Sequence, residues 1–246
     1  MNRRVFIDAV HGGSTPPLSY METSLHRDLK VRYAGDDART EIRVGNYRID
    51  AIVGDQLIEI QLSSLSAIRD KIRALVEQHD VLVVKPIIAS KLLVKRKKKN
   101  GKVADRRRSP KKCKLIDAFD ELVYFTRAFP HPNLQVEIVL VDVEEWRFPG
   151  HGRRRRHRAG DFEVEDQKLV EIHEHRRLTK SGDLWQLLPD IKLPSPFHTG
   201  HLAKAVGIER WIAQRITYVL RETGAVRRVG KQGNANLYSI PRAKAA

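Results

Sequence analysis

The sequence of 246 residues is poor in cysteine and contains no long apolar run. Its single cysteine, Cys113, permits neither an internal disulfide nor a zinc site built from several thiolates, which favours a reducing compartment. No segment reaches the roughly 18 apolar residues of a membrane-spanning helix, and residues 1–10 lack the apolar stretch of a secretory signal. These absences predict a cytoplasmic protein with no membrane partner, associated with the nucleoid if its source is bacterial.

Positive charge is abundant and unevenly distributed. The net charge is +16, and two short tracts account for almost all of it. Residues 95–112 hold eleven Lys and Arg against one Asp, and residues 153–158 hold five Arg and no acid. The rest of the chain has 30 basic and 29 acidic residues. Basic tracts on an otherwise nearly neutral chain favour a polyphosphate partner, because each phosphate contact releases counterions. The alternative is that the two tracts are solvated loops.

The first 180 residues show the alternation of helix and strand signals that is typical of an α/β domain. The predicted elements are a helix over 19–33 with Ser19 and Glu22 as a capping box, strands over 40–44, 47–53 and 57–62, a helix over 65–76, a strand over 81–84, a helix over 115–123 and a strand over 134–143. Residues 162–178 fit either a strand or a helix. We therefore predict a mixed sheet flanked by helices over residues 1–180.

A basic hairpin is predicted at about 92–114, where Asn100-Gly101 is a strong tight-turn dipeptide. Its arms would carry the cations along a protruding ribbon, and residues 147–160 would form a second basic loop. The candidate nucleic-acid contacts of these tracts are Lys97, Lys98, Lys99, Arg106, Arg107, Arg108, Arg154 and Arg155.

Two carboxylates are predicted to face each other on adjacent strands. If the Gly-Asp dipeptide at 54–55 forms a two-residue turn, the register places Asp50 opposite Glu59 and Arg48 opposite Gln61. The Cβ atoms of opposed residues lie about 4.5 to 5.5 Å apart, where two like charges destabilise a sheet. The register therefore predicts that Glu59 has a partner of opposite charge.

A divalent cation can be that partner. Mg²⁺ or Mn²⁺ held by Asp50 and Glu59 would polarise a phosphate and acidify a bound water, which is the chemistry of phosphodiester hydrolysis. The structural alternative for Asp50 is a salt bridge with Arg43 or Arg48.

These residues resemble the PD-(D/E)xK nuclease superfamily, through Arg-Ile-Asp at 48–50 and Glu-Ile-Gln at 59–61, with helices before and after. The resemblance implies a restriction-endonuclease-like fold in which the aspartate and the glutamate hold the metal and Glu22 on the first helix assists. The superfamily has a lysine in place of the glutamine. Glutamine cannot act as a general base, although its amide can position a water, and a minority of restriction endonucleases are similar in having it there. His26 and Lys30 are candidates for the missing group.

The last sixty or so residues predict a second domain, over 181–246. Its elements are a short helix around 184–188, a helix over 200–206 capped by Thr199, a helix over 209–223, and strands over 225–229 and 236–240. This order, with a turn at Gly207, resembles winged-helix DNA-binding modules. The candidate duplex contacts are Arg210, Gln214, Arg215, Tyr218, Arg221, Arg227, Arg228 and Lys231. Trp211 fits either the surface or the core.

The leading hypothesis is an Mg²⁺- or Mn²⁺-dependent DNA endonuclease that is targeted by its winged helix. The competing hypothesis is a catalytically inactive, nuclease-like transcriptional regulator. An RNA partner and a homodimer are further possibilities that the sequence leaves open. Cys113 is interpreted as structural, and the cluster Glu171, His173, Glu174 and His175 as a solvated edge rather than a metal site.

Overall fold

The computed structural model describes residues 22–35, 38–150 and 162–241. The strands are β1 (Arg39–Val44), β2 (Tyr47–Val53), β3 (Gln56–Ile60), β4 (Asp80–Arg96), β5 (Val103–Arg108), β6 (Leu134–Pro149), β7 (Phe162–Leu178), β8 (Arg227–Gln232) and β9 (Ala235–Ser239). The α-helices are α1 (Ser24–Ala34), α2 (Arg69–Leu75), α3 (Phe119–Leu122), α4 (Thr199–Val206) and α5 (Arg210–Glu222), and 3-10 helices lie at Leu65–Ala67, Leu115–Ala118 and Ser181–Leu187. The predicted α/β sheet with flanking helices is confirmed.

The seven-stranded sheet is mixed and has the order β1-β2-β3-β4-β6-β7. Strands β3, β4 and β6 are parallel to one another, and the remaining pairs are antiparallel. Strand β5 pairs with the far end of β4, on the same side as β3. Strands β3, β4 and β6 therefore lie inside the sheet, and β1, β5 and β7 form its edges.

The side chains of β4 alternate between two hydrophobic cores. Val81 and Val83 belong to the larger core, which includes the apolar residues of α2 and α3. Leu82 and Val84 belong to the smaller core with Leu25 and Leu29 of α1. The continuous apolar run at 81–84 is explained by this arrangement, because a strand covered on both faces needs apolar residues at every position.

Helix α1 begins later than predicted. Its N-cap is Thr23, so Glu22 lies ahead of the helix and the predicted capping box is wrong; Ser19 lies outside the described residues. The carboxylate of Asp166 on β7 accepts hydrogen bonds from the backbone N (2.8 Å) and the hydroxyl (2.6 Å) of Ser24. The first turn is thus also held by a strand that is distant in sequence.

The predicted strand over 81–84 is only the beginning of β4, which has 17 residues in all. The basic arms pair as predicted, from Leu92–Arg108 to Arg96–Val103, with Asn100 in the turn. However, β4 also pairs with β6 over this length, and β6 pairs with β7. The basic hairpin is therefore not a protruding ribbon; it is the edge of a four-stranded continuation of the sheet, which we call the sheet extension.

Strands β6 and β7 account for this difference. The strand predicted over 134–143 continues to Pro149, and residues 162–178, which were ambiguous, form β7. Arg147 therefore belongs to a strand and not to the predicted basic loop. Residues 151–161, including Arg154 and Arg155, lie outside the described residues.

The C-terminal elements occur in the predicted order, with different boundaries. His198, not Thr199, is the N-cap of α4, because its Nδ1 accepts the first free amides of the helix. Gly207 ends α4 in the left-handed conformation, as predicted. Strand β8 begins at Arg227 instead of Ala225, which is buried in the core.

One hydrophobic core connects the C-terminal unit to the sheet. Phe197, Leu202 and Ile216 belong to the same buried cluster as Ile72 and Phe119. In the described part of the chain, no helix is both long enough and apolar enough to cross a membrane.

Candidate functional site

The hairpin of β2 and β3 carries the candidate metal ligands. Its turn at residues 54–55 sets the predicted register, in which the ladder runs from the pair Val53–Gln56 to the pair Ala51–Ile58. Beyond that point, Oδ2 of Asp50 accepts a hydrogen bond of 2.6 Å from the backbone amide of Ile60. The carboxylate takes the place of the next backbone contact, and the ladder ends.

The ladder between β2 and β3 keeps the predicted register but ends at Ala51–Ile58, so Asp50 with Glu59 and Arg48 with Gln61 are not ladder pairs. Asp50 directs its carboxylate to the backbone of β3, and Arg48 pairs with Arg43 on the other side of β2. Asp50 and Glu59 are nevertheless close enough for the charge of Asp50 to raise the pKa of Glu59. The hairpin thus brings the two carboxylates together without a regular pair.

His26 of α1 connects the hairpin to the first helix. Its Nδ1 lies 2.6 Å from Glu22 Oε1, and its Nε2 lies 3.3 Å from Asp50 Oδ2. Burial works against the protonated imidazole, but contacts with Asp50 and Glu22 outweigh it and raise the pKa of His26 to about 9. Burial also opposes ionisation of Asp50, yet hydrogen bonds from His26 and from the Ile60 amide lower the pKa of that carboxyl. At neutral pH this pair is an imidazolium and a carboxylate.

Lys30 of α1 extends the network to β1. Its Nζ lies 2.8 Å from Glu22 Oε1 and also pairs with Glu41, which lies 2.5 Å from Arg48 Nε. Glu41 has a φ of 56°, a left-handed conformation that few residues other than glycine adopt. Although partial burial has the opposite effect, hydrogen bonds from Lys30 and His26 lower the pKa of Glu22.

Glu59 is buried and faces α2. Its Oε2 lies 2.7 Å from Lys71 Nζ. Burial, and next the charge of Asp50, raise the pKa of Glu59 to about 7, against the opposing effect of Lys71. A carboxylate in a central strand is costly to bury without a partner, and Lys71 supplies one.

Gln61 directs its amide nitrogen away from the carboxylates. Nε2 donates to Ser63 Oγ at 2.7 Å and to the Ser64 carbonyl at 2.8 Å. The buried Lys85 of β4 donates to the carbonyls of Leu62 and Ser63, and burial lowers the pKa of this lysine. Within the described residues Oε1 of Gln61 makes no hydrogen bond, so this oxygen is the part of the side chain that can position a water.

The titration of His26 and Glu59 predicts how stability depends on pH. Their pKa values in the folded protein are about 9 and about 7, against ordinary values of 6.5 and 4.5. Both groups hold their protons more tightly when folded, so the stabilisation from His26 is complete below pH 6.5 and is lost as the pH rises toward 9. For Glu59 the corresponding loss falls between pH 4.5 and 7. We expect the free energy of unfolding, measured by urea titration in metal-free buffer, to fall between pH 6.5 and 9.

The matched variant is His26→Gln, which keeps a polar side chain but cannot titrate. Its free energy of unfolding is expected to depend much less on pH in the same interval. Equal slopes for the two proteins would show that His26 has an ordinary pKa in the folded state.

The exposed face of α5 and the β8–β9 hairpin border a pocket of about 290 Å³. Its lining includes the predicted contact residues Arg210, Gln214, Tyr218 and Arg221, together with Asn234 and Asn236 of the hairpin. The predicted contacts Arg227, Arg228 and Lys231 are exposed on β8. This surface therefore presents amide and guanidinium groups, which can bind base edges and phosphates.

The structure defines the surroundings of two further residues of α5, Trp211 and Arg215. Arg215 pairs with Asp120 of α3, so it joins the two parts of the chain instead of facing outward. Its Cζ also lies 5.0 Å from the ring centroid of Trp211. Trp211 is 56% exposed, so the core alternative for this residue is wrong.

The predicted cationic contacts of the sheet extension are exposed. They are Lys97, Lys98 and Lys99 in the turn and Arg106, Arg107 and Arg108 on β5. None of the six forms an ion pair with the residues that the structure describes, which leaves their charges available to an anionic partner.

A separate group of possible metal ligands lies on β6 and β7. Donor atoms of Asp142, Glu171 and His173 lie within 4.8 Å of one another. Glu174 and His175, which the sequence placed with them, form ion pairs elsewhere. Glu171 and His173 are exposed, and a solvated strand edge remains our interpretation.

Comparison with known proteins places the sheet region in a family. Residues 23–179 match the family described as "Domain of unknown function (DUF8091)". The chain belongs to the DUF8091 family. An uncharacterized protein of Treponema pallidum (strain Nichols) is 27% identical over 219 residues, which cover 88% of this chain and 84% of that protein. No solved structure matches the chain.

The linked acids and bases described above form one group, which we call the carboxylate network: Glu22, His26, Lys30, Glu41, Arg48, Asp50, Glu59 and Lys71. The DUF8091 region contains all of this network except Glu22, which lies just before it. It also contains functional candidates that the sequence did not single out: Glu41, Lys71 and Lys85, and in the sheet extension Trp146, whose ring centroid lies 4.4 Å from Arg96 Cζ. Lys71 lies twelve residues after Glu59 on another element, and no local spacing links the two. Such contacts depend on how helices pack against the sheet.

Proposed function

We propose that this DUF8091 protein is a metal-dependent DNA endonuclease of the PD-(D/E)xK type. The observation that carries the proposal is the proximity of Asp50 and Glu59, where the charge of one carboxylate helps to raise the pKa of the other to about 7. Two carboxylates that are close enough to repel each other favour binding of a divalent cation, and exposed cations nearby favour binding of a phosphate.

Each of the two carboxylates has one oxygen that could bind such a cation. In the described part of the chain, Oδ1 of Asp50 and Oε1 of Glu59 make no hydrogen bond, while Oδ2 and Oε2 are already bonded. Asp50 and Glu59 would each hold Mg²⁺ or Mn²⁺ through the free oxygen. When bound, the cation would supply polarisation of the scissile phosphate and a water of lowered pKa.

The protein cations at the site have roles in the same proposal. Lys71 fixes the Glu59 carboxylate and places a positive charge beside it, where it can bind a phosphate oxygen of the substrate. His26 orients Asp50 and links it to Glu22. Oε1 of Gln61 accepts a hydrogen bond from the attacking water and positions it.

We further propose that the C-terminal unit is a winged helix that binds duplex DNA, with α5 in the major groove and β8–β9 as the wing. This proposal is supported by the side chains of Arg210 and Gln214 on the exposed face of α5 and of Lys231 on β8. The position of Arg215 beside Asp120 would fix this reading surface relative to the sheet.

Contacts of the proposed winged helix with base edges and with phosphates are expected to respond differently to substitution. Gln214→Ala should weaken binding to a preferred duplex about 5- to 150-fold and leave binding to random duplex nearly unchanged, because a base contact is lost. Lys231→Gln should weaken binding to both duplexes and reduce the slope of log K against log salt by about one. The measurement is fluorescence anisotropy at several salt concentrations, with a duplex selected from a random library. Equal losses for both duplexes in Gln214→Ala would argue against base recognition by α5.

The second candidate is a nuclease-like transcriptional regulator without catalysis. The charge balance of the network favours it, since each carboxylate already has a cationic partner within the protein. The acids are Glu22, Glu41, Asp50 and Glu59, and the bases are His26, Lys30, Arg48 and Lys71. The commitment of the Gln61 amide to Ser63 and Ser64 favours it as well.

A plasmid-nicking assay with the wild-type protein separates the candidates. Conversion of supercoiled DNA to nicked or linear DNA that requires Mg²⁺ or Mn²⁺ would support the endonuclease. Binding of duplex without conversion at any metal concentration would support the regulator.

A further inference from the structure

A pocket of about 320 Å³ lies between the carboxylate network and the sheet extension. We call it the Trp146 pocket. Its wall includes Glu22, Arg96, Asn100, Trp146, Glu165 and Lys168. Glu22 also belongs to the carboxylate network, through its contacts with His26 and Lys30. A strand bound at the carboxylates would therefore pass directly beside this pocket.

Trp146 is surrounded by cations. Arg96 Cζ lies 4.4 Å from the ring centroid, Lys168 Nζ lies 4.9 Å from it, and Arg106 Cζ lies 5.9 Å from it. The indole Nε1 donates to Glu144 at 2.8 Å, which fixes the orientation of the ring. An aromatic ring with adjacent cations is the combination with which proteins bind unpaired nucleotides, since the ring stacks on the base and the cations bind the phosphates.

The acidic groups of the pocket are largely committed to the protein. Glu165 Oε1 accepts hydrogen bonds from Arg96 and from the backbone of Asn100, and the Asp166 carboxylate caps Ser24. Lys168, in contrast, has no ion-pair partner among the described residues. The pocket therefore offers a ligand a positive charge and an aromatic ring.

Arg96 covers the indole in an arrangement that leaves polar atoms unpaired. Arg96 Nε and Glu165 Oε2 are buried, and neither has a hydrogen-bond partner in the part of the chain that the structure describes. Unpaired buried polar groups cost free energy. Movement of Arg96 off the ring would relieve this cost if the incoming group supplied a donor and an acceptor, and the edges of nucleobases carry both.

We propose that the Trp146 pocket binds an unpaired nucleobase of a single-stranded DNA segment, stacked on Trp146, with Lys168 on an adjacent phosphate. The proposal rests on the proposed function for the identity of the polymer as DNA, and it adds that the substrate has an unpaired base next to the carboxylate network. A strand with an unpaired base, such as a bulge, a flap or a junction, is the substrate class that this geometry fits.

The test compares two short oligonucleotides that carry the same number of phosphates, one with bases and one abasic, in buffer that contains a metal chelator. We expect the full-length wild-type protein to bind the strand with bases about 5- to 100-fold more tightly in fluorescence anisotropy. Trp146→Ala should lose this preference, and Trp146→Phe should keep most of it because the ring is retained. Tyr124→Ala, which removes an exposed aromatic ring outside the pocket, is the control and should behave as the wild type.

Three outcomes would overturn the proposal: equal wild-type affinity for the two strands, an unchanged preference in Trp146→Ala, or the same loss in Trp146→Phe as in Trp146→Ala. Because no metal is present, the result does not depend on cleavage. If the nicking assay fails but the preference for the strand with bases is retained, only the endonuclease proposal is rejected. If nicking is observed but that preference is absent, only the proposed role of the Trp146 pocket is rejected.

Discussion

Asp50→Asn and Glu59→Gln are each expected to reduce metal-dependent DNA cleavage about 1000-fold or more. Each substitution replaces a charged oxygen ligand by a neutral amide of the same size, so the site should lose several kcal/mol of charge stabilisation in the transition state. Single-turnover rates at saturating protein give the effect on the chemical step. Calorimetric titration with Mn²⁺ gives the effect on metal uptake, and the double variant is expected to show none.

The control is Asp55→Asn on the same hairpin. Asp55 is exposed in the turn between β2 and β3, so its substitution removes the same charge from the same hairpin without touching the network. Wild-type cleavage by this variant, with loss in the other two, would assign the effect to the site. Unchanged cleavage in Asp50→Asn would exclude Asp50 as a metal ligand.

Phe197→Ala is expected to lower the free energy of unfolding by about 3 to 5 kcal/mol. The ring is buried and lies 6.2 Å from the centroid of Trp185 and 6.0 Å from that of Tyr238. Removal of the ring leaves a cavity where the loop before α4 meets β9. Chemical denaturation followed by far-UV circular dichroism measures the change.

The same experiment tests whether the two parts of the chain unfold together. Because one core contains Phe197 as well as Ile72 and Phe119, we expect a single transition that moves as a whole to lower denaturant. Val170→Ala, at a position 63% exposed, should change the free energy of unfolding by less than about 0.5 kcal/mol. A second transition in Phe197→Ala would show that the C-terminal unit unfolds independently.

The parts of the fold that follow from local chemistry could be predicted. The turn at 54–55 fixed the register of β2 and β3 because two-residue hairpins allow few alternatives. Gly207 ended α4 because the left-handed C-cap favours glycine. The apolar run at 81–84 identified a central strand, since both of its faces are buried.

The parts of the fold that depend on partners distant in sequence could not be predicted. Strand β7 contains charged residues on both of its faces, so its sequence has no clear period; its structure depends on pairing with β6. The N-terminal cap of α1 by Asp166 and the ion pair between Glu59 and Lys71 join different elements. For Asp50, the structural alternative to a metal was a salt bridge with Arg43 or Arg48, whereas the side chain that contacts it is His26.

Strand β4 connects the two candidate binding surfaces of the sheet. It has 17 residues without a break, and the register shifts at 88–90 and 95–96 allow it to bend toward helix α1. Its first residues lie in the central sheet beside Glu59, and its last residues lie beside the cations of β5. Since β6 pairs with this strand along nearly all of its length, the sheet extension cannot move independently of the central sheet. Under the proposed function, the cations of the sheet extension and the carboxylates Asp50 and Glu59 would therefore contact the DNA at a fixed distance from each other.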